Sequence, residues 1–257
     1  MSISTSDVAK LRARTGVGVL DAKNALEEAK GNEELAIEIL RKKGIAQAVK
    51  KAARAQTQGA VFIASTDTKA ALVQIRCETD FVARSDVFLK FGQDLADALL
   101  EKGKTGFSAY ASEKVPAAVL ELGENISVGD AREMSAPVLG TYVHSNRKIG
   151  VIVGLEGGTK EQACDTAMHS AAMNPAYLRS SDVPQEVVLK EREIWKEQLS
   201  KEKKPPEILE KIMLGKERKF KEENALLTQP FVKDTTKTVE KMLAPAVLKD
   251  CVRISFA

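Results

Sequence analysis

The stretch Arg76-Cys-Glu-Thr-Asp-Phe-Val-Ala-Arg84 lies where one hydrophobic period gives way to another. Upstream, Ala70 to Cys77 alternates, with Val73, Ile75 and Cys77 on one side and Leu72, Gln74 and Arg76 on the other, which predicts a half-buried strand. Downstream, Val87, Phe88, Phe91, Leu95, Ala98 and Leu99 recur at three and four residues, which predicts an amphipathic helix from Asp86 to Leu100. The period changes between Cys77 and Ser85, so Thr79, Asp80 and Phe81 sit on a corner. A short corner between rigid elements presents an acid and a large ring to a partner with little loss of side-chain freedom. The same residues also admit a simpler reading, with Thr79 or Asp80 capping a helical turn and Phe81 pointing into the core.

Outward from this corner the pattern repeats. Ala60–Ala64 and Ala70–Cys77 flank the polar Ser65–Lys69, a hairpin signature. Near Gly140 the order returns as Thr141–His144, Ser145–Lys148 and Ile149–Leu155, followed by a helical stretch from Ala163 to Met173. The offset is roughly 80 residues, which suggests a duplicated unit. Between the copies, Val115–Leu122 reads as an apolar helix ended by Gly123, and Glu124–Val128 as a short strand. The fold class is therefore α+β, with a core of two similar antiparallel-sheet-plus-helix subdomains.

Three helices precede this core. Ser4, Thr5 and Ser6 offer a cap before Val8 and Leu11, and Gly16 and Gly18 break the pattern. Leu20, Ala22, Ala25, Leu26 and Ala29 form the apolar side of the second helix, ended by Gly31. Asn32 caps the third, whose Leu35, Ile39 and Leu40 face inward before Gly44, and Ile45–Arg54 reads as a helical linker. Beyond the second copy, Val183–Lys204 is charged and helix-forming, Pro205-Pro206 breaks it, and Ile208, Leu209, Ile212 and Met213 form a narrow stripe, which together predict an inserted antiparallel coiled coil. Trp195 packs between its helices or anchors a partner. Thr238–Leu243 then reads as a helix and Val252–Phe256 as a last strand. The expected domains are residues 1–54, 55–140, 141–182 continued by 226–257, and the insertion 183–225.

Composition bounds the function. Hydrophobic residues at 44% and charged residues at 29% are ordinary for globular chains, and neither a membrane-length apolar run nor a signal-peptide pattern is present. Cys77, Cys164 and Cys251 are odd in number and widely spaced, which points to a reducing, cytoplasmic setting without disulfides. A net charge of +3 from 39 basic and 36 acidic residues argues against nucleic acid as the main partner.

Cys77-Glu-Thr-Asp-Phe-Val-Ala-Arg84 resembles the signature of the elongation factor Ts family, proteins that expel GDP from the GTPase elongation factor Tu. Arg14-Thr-Gly-Val-Gly-Val-Leu-Asp-Ala-Lys23 resembles that family's opening motif, with Val19 and Leu20 where methionines are often found. Leu122-Gly-Glu-Asn-Ile126, Pro205–Lys211 and Leu226–Val232 extend the resemblance along nearly the whole chain. It implies a ubiquitin-associated-like N-terminal module and a non-enzymatic exchange factor without cofactor or metal. It also implies site residues: Thr79, Asp80, Phe81 and Val82 disturbing the magnesium site, and Arg12, Val19, Leu20, Lys23, Leu122, Gly123 and His144 making other contacts. Each of these has an ordinary alternative, such as a turn glycine, a core leucine or a solvated lysine. The resemblance leaves open self-association or partner contact through the coiled coil, and longer members add a terminal helix that binds the GTPase.

Two other classes compete. A hydrolase would need Cys164 with His169, which lack a nucleophile elbow, glycine-rich loop or metal spacing, and a lone helical histidine is more often packed. A nucleic-acid or ribosome-binding adaptor would use Lys50, Lys51, Arg54 and the Lys201–Lys204 run, without aromatic stacking residues among them.

Overall fold

The computed structural model describes residues 3–199 and 205–256. The chain is mixed α and β and divides into two compact units, residues 1–134, 143–150 and 254–257 in one and residues 135–142 and 151–253 in the other.

The first unit begins with helices α1 (Thr5–Thr15), α2 (Val19–Glu28) and α3 (Glu33–Lys51). Ser4 and Asp7 form a reciprocal capping box on α1, and the Asn32 side chain accepts the Leu35 N–H to cap α3. Leu11, Ala22, Leu26, Ala36 and Leu40 make the core of these helices, joined by Leu120 from a later helix. Two expectations are corrected here. Leu35 is exposed and Ala36 takes the inward position. Gly44 does not end α3 but lies buried within it, because a Cβ there would stand 2.7 Å from the Pro116 carbonyl oxygen. Its lack of a side chain serves close helix approach, not termination.

Strands β1 (Gln58–Ser65) and β2 (Lys69–Cys77) pair antiparallel, from Gln58 opposite Cys77 to Ser65 opposite Ala70. Strand β2 is buried on both faces rather than one. Val73, Ile75 and Cys77 enter the core built on Phe88, Leu95 and Leu99, while Leu72 lies against Gly150. A single turn, α4 (Asp80–Ala83), leads into α5 (Asp86–Leu122). The helices expected at Asp86–Leu100 and Val115–Leu122 are both parts of α5, which is broken at Gly103, where φ is 63°. Strand β3 (Ser127–Ser135) adds to the sheet beside β2. It starts later and runs further than expected, since most of its residues are not buried and its alternation is weak.

The second unit holds most of β4 (Val138–Val143) and β5 (Ile149–Glu156), then α6 (Lys160–Met173), α7 (Gln185–Leu199) and α8 (Pro206–Asn224). The short pair β6 (Pro230–Phe231) and β7 (Asp234–Thr238), α9 (Val239–Leu243) and β8 (Val247–Ser255) complete the chain. β4, β5 and β8 form a sheet in that order. Helices α7 and α8 touch: the Trp195 and Phe220 rings meet edge-on at 5.8 Å, and Arg192 pairs with Glu217 at 3.2 Å. Among the described residues, no helix is long and apolar enough to cross a membrane.

Candidate functional site

Two consecutive caps build the corner at Thr79–Ser85. Thr79 Oγ1 accepts the Val82 N–H at 3.3 Å to start α4, and Ser85 Oγ accepts the Phe88 N–H at 3.3 Å to start α5. Ser85 Oγ also donates to the Val82 carbonyl at 2.9 Å, so both ends of the turn are fixed. Beneath it Cys77 donates to the Thr79 carbonyl at 3.2 Å; burial, aided by the charge of Glu124, pushes its thiol up to about 12. The simpler reading of the corner is thus half right. Thr79 is a cap, but Phe81 is 83% exposed, more than any other large hydrophobic residue among those described. Asp80 pairs with Arg84 at 3.1 Å, and Val82 is half-buried against the sheet core.

The end of α5, which carries Leu122 and Gly123, lies beside this corner. Leu120 is buried among α1–α3, Glu121 holds its carboxylate against Gly16, and Leu122 packs on the sheet core. Gly123 closes the helix in the left-handed region at φ 76°, and its carbonyl accepts Lys51 Nζ at 2.6 Å. Glu124 Oε2 accepts the backbone N–H groups of Glu78 at 2.9 Å and Thr79 at 3.1 Å, while its Oε1 accepts the Thr79 hydroxyl at 2.6 Å. In return Glu78 Oε1 accepts the Asn125 N–H at 2.7 Å. Asn125 Nδ2 donates to the Arg54 carbonyl at 2.9 Å, which ties in the chain after α3. The segments carrying Phe81 and Leu122–Gly123 are therefore joined by reciprocal carboxylate bonds. Glu78, Glu124 and Asn125 were absent from the expected site, although all three stand inside the quoted motifs.

His144 opens the turn between β4 and β5, accepting the Arg147 N–H at 2.7 Å and donating its own N–H to Ile149 at 2.9 Å. The turn is fastened to β1: Val61 donates to the Arg147 carbonyl at 2.8 Å, and Lys148 Nζ reaches Gln58 Oε1 at 2.9 Å and the Gly59 carbonyl at 2.8 Å. Gln58 faces Cys77 across the hairpin, so the exposed His144 is anchored to the strand end from which the Phe81 corner departs. Burial holds the Lys148 ammonium below its ordinary value, against the pull of Cys77 and Asp80.

Arg12, Val19, Leu20 and Lys23 cluster where α1 meets α2. Arg12 Nε donates to the Val17 carbonyl at 3.2 Å and so braces this corner, and Lys23 faces Glu27 at 3.7 Å. Val19 and Leu20 are 57% and 70% exposed. Leu20, placed on the inward side by its spacing, points outward, and Ala22, Ala25 and Leu26 supply the core without it. Because Gly16 rests on Glu121, this patch and Leu122–Gly123 share the last turn of α5 as their support.

Residues 78–255 match the family model described as Elongation factor TS. The chain belongs to the elongation factor Ts family. It is 43% identical over 251 residues to elongation factor Ts of Marinobacter nauticus, covering 95% of this chain and 87% of that protein. It is likewise 43% identical to that of Thioalkalivibrio sulfidiphilus, covering 97% and 89%, and 45% identical to that of Hahella chejuensis, covering 91% and 84%. Elongation factor Ts is the nucleotide exchange factor for elongation factor Tu, not a catalytic enzyme.

The competing constellations have structural explanations consistent with that family. His169 is fully buried, with Nε2 2.9 Å from Gln229 Oε1 and Nδ1 accepting the Val232 N–H at 3.2 Å. Both ring nitrogens are engaged, which leaves none to act as base for Cys164, and Asp165 pairs with Lys233 at 2.6 Å. Of the basic residues that a nucleic-acid adaptor would use, Lys51 holds the Gly123 carbonyl and Arg54 pairs with Glu78 at 3.4 Å; the Lys201–Lys204 run lies outside the described residues. Among the described residues no cluster of three or more His, Cys, Asp or Glu is placed to hold a metal ion.

Proposed function

We propose that this chain releases GDP from elongation factor Tu by wedging Phe81 into an apolar gap beside the GTPase magnesium site, with Thr79, Asp80 and Val82 shifting the surrounding loops. A GTPase holds GDP through backbone amides, a lysine and magnesium, so distorting that cradle releases the nucleotide without breaking a bond. The observation that carries this reading is the exposed Phe81 ring on a turn fixed at both ends. Leu122, Gly123 and His144 press from the phosphate side, and Arg12, Val19, Leu20 and Lys23 grip the GTPase elsewhere. The coupling is reciprocal, so GTP binding displaces the factor and lets it act again.

The finer architecture follows the family. We read residues 1–54 as the ubiquitin-associated-like module and 55–140 with 141–182 and 226–257 as two similar core subdomains. We read residues 183–225, of which 200–204 lie outside the described residues, as the inserted coiled coil, open to a partner or to self-association. The Trp195–Phe220 contact supports that pairing of helices. A cytoplasmic setting fits both the partner and the cysteines, none of which is in a disulfide. The test is release of fluorescent GDP from elongation factor Tu with and without this protein. Acceleration supports exchange; folded protein that leaves the rate unchanged overturns it.

A further inference from the structure

We propose that Glu124, in reciprocal clasp with Glu78, is a positioning residue for exchange: it sets the Phe81 wedge against the Leu122–Gly123 face. The inference rests on the wedge reading above. Its ground is geometric. One Glu124 carboxylate receives two backbone N–H groups and one hydroxyl from Glu78 and Thr79, at 2.6–3.1 Å, and the Glu78 carboxylate receives the Asn125 N–H at 2.7 Å. Hydrogen bonds to an ionised acceptor are stronger than neutral ones. These four cross between chain segments 45 to 47 residues apart. They immediately precede the cap of α4, so Thr79 is held from both sides: its hydroxyl donates to Glu124 and accepts from Val82.

A wedge works only if it is pushed from a fixed base. Phe81 has almost no packing of its own to fix it, so its direction is inherited from the Thr79 cap, and the cap's position from Glu124. Glu124 need not touch the GTPase to act. Exchanging its carboxylate for an amide would turn an acceptor for three donors into a group with one acceptor oxygen and a competing N–H₂.

The experiment measures GDP release from elongation factor Tu as a function of exchange-factor concentration, for the parent, Glu124→Gln, Phe81→Ala and the double variant. Misplacement of a working group costs limiting rate, so Glu124→Gln should lower the rate at saturation by roughly tenfold while the half-saturation concentration moves less than about threefold. In the Phe81→Ala background the same change should have little further effect, because the group it positions is gone. If Phe81→Ala alone is harmless, the wedge reading falls and takes this inference with it. If Phe81→Ala is harmful but Glu124→Gln is not, or if the two losses multiply, the positioning role is overturned and the wedge reading stands. Should Glu124→Gln not fold, Glu124→Asp, whose shorter carboxylate cannot reach all three donors, gives the same comparison. Unfolding of both would show that Glu124 holds the fold and would overturn the proposal.

Discussion

Two helix-interior glycines, Gly44 in α3 and Gly215 in α8, should respond oppositely to alanine. Intrinsic propensity favours alanine at both by up to about 1 kcal/mol. At Gly215 a Cβ meets nothing within 4 Å, so the full gain should appear. At Gly44 the Cβ would stand 2.7 Å from the Pro116 oxygen and 3.1 Å from its carbonyl carbon. These are backbone atoms of a helix, so α3 must move away from α5 as a body. Overpacking of this kind costs about 1–3 kcal/mol, about 2 at the centre of that range, so against a gain of up to about 1 kcal/mol the expected net loss is about 1 kcal/mol. The displacement would also pull Lys51 from the Gly123 carbonyl. Urea unfolding followed by circular dichroism should show an earlier midpoint for Gly44→Ala. For Gly215→Ala, Trp195 fluorescence should show a later one, since that ring lies in the same unit beside Phe220. A Gly44→Ala protein as stable as the parent would refute the close-packing account of α3 on α5.

Two further outcomes are expected. Leu20→Ala should leave stability within about 0.5 kcal/mol, because the side chain is 70% exposed, but raise the half-saturation concentration for GDP release roughly tenfold without changing the limiting rate. A concentration dependence identical to the parent's would remove Leu20 from the interface. The second concerns acid. Burial lowers the pKa of His169 below its ordinary 6.5, although the Gln229 bond opposes the shift. The folded state therefore binds this proton less readily than the unfolded chain. Stability is complete above the unfolded value and falls as pH drops through it toward the lower folded value, by up to about 1.4 kcal/mol per pH unit. His169→Asn keeps an acceptor for the Val232 N–H and cannot titrate, so its unfolding midpoint, read by Trp195 fluorescence, should be flatter between pH 6.5 and 5.5. An equally steep dependence would exonerate His169.

Much of this molecule was legible in the chain because the signals were local. The change of period around Cys77–Ser85 placed the corner, and capping residues placed Thr79 and Asn32. What failed depended on long-range packing. The sequence around Gly44 reads as a helix end until the Pro116 carbonyl is seen beside it. β2 alternates as though one face were wet, yet on that face Gly150 lies against Leu72 and Gly129 against Gln74 and Arg76. Leu20 sits at the edge of an apolar stripe that small alanines complete without it. The Glu78–Glu124 clasp was the least visible, since acids beside a cap and after a helix end look solvated until the segments meet.

The central claim is that an exposed ring on a fixed corner forces nucleotide release. It is tested most directly by the limiting rate of fluorescent GDP release from elongation factor Tu with Phe81→Ala at saturating concentration. With the ring 83% exposed, the variant should fold and melt like the parent, yet lose at least about tenfold in limiting rate. A folded Phe81→Ala protein that drives GDP release as fast as the parent would contradict the account.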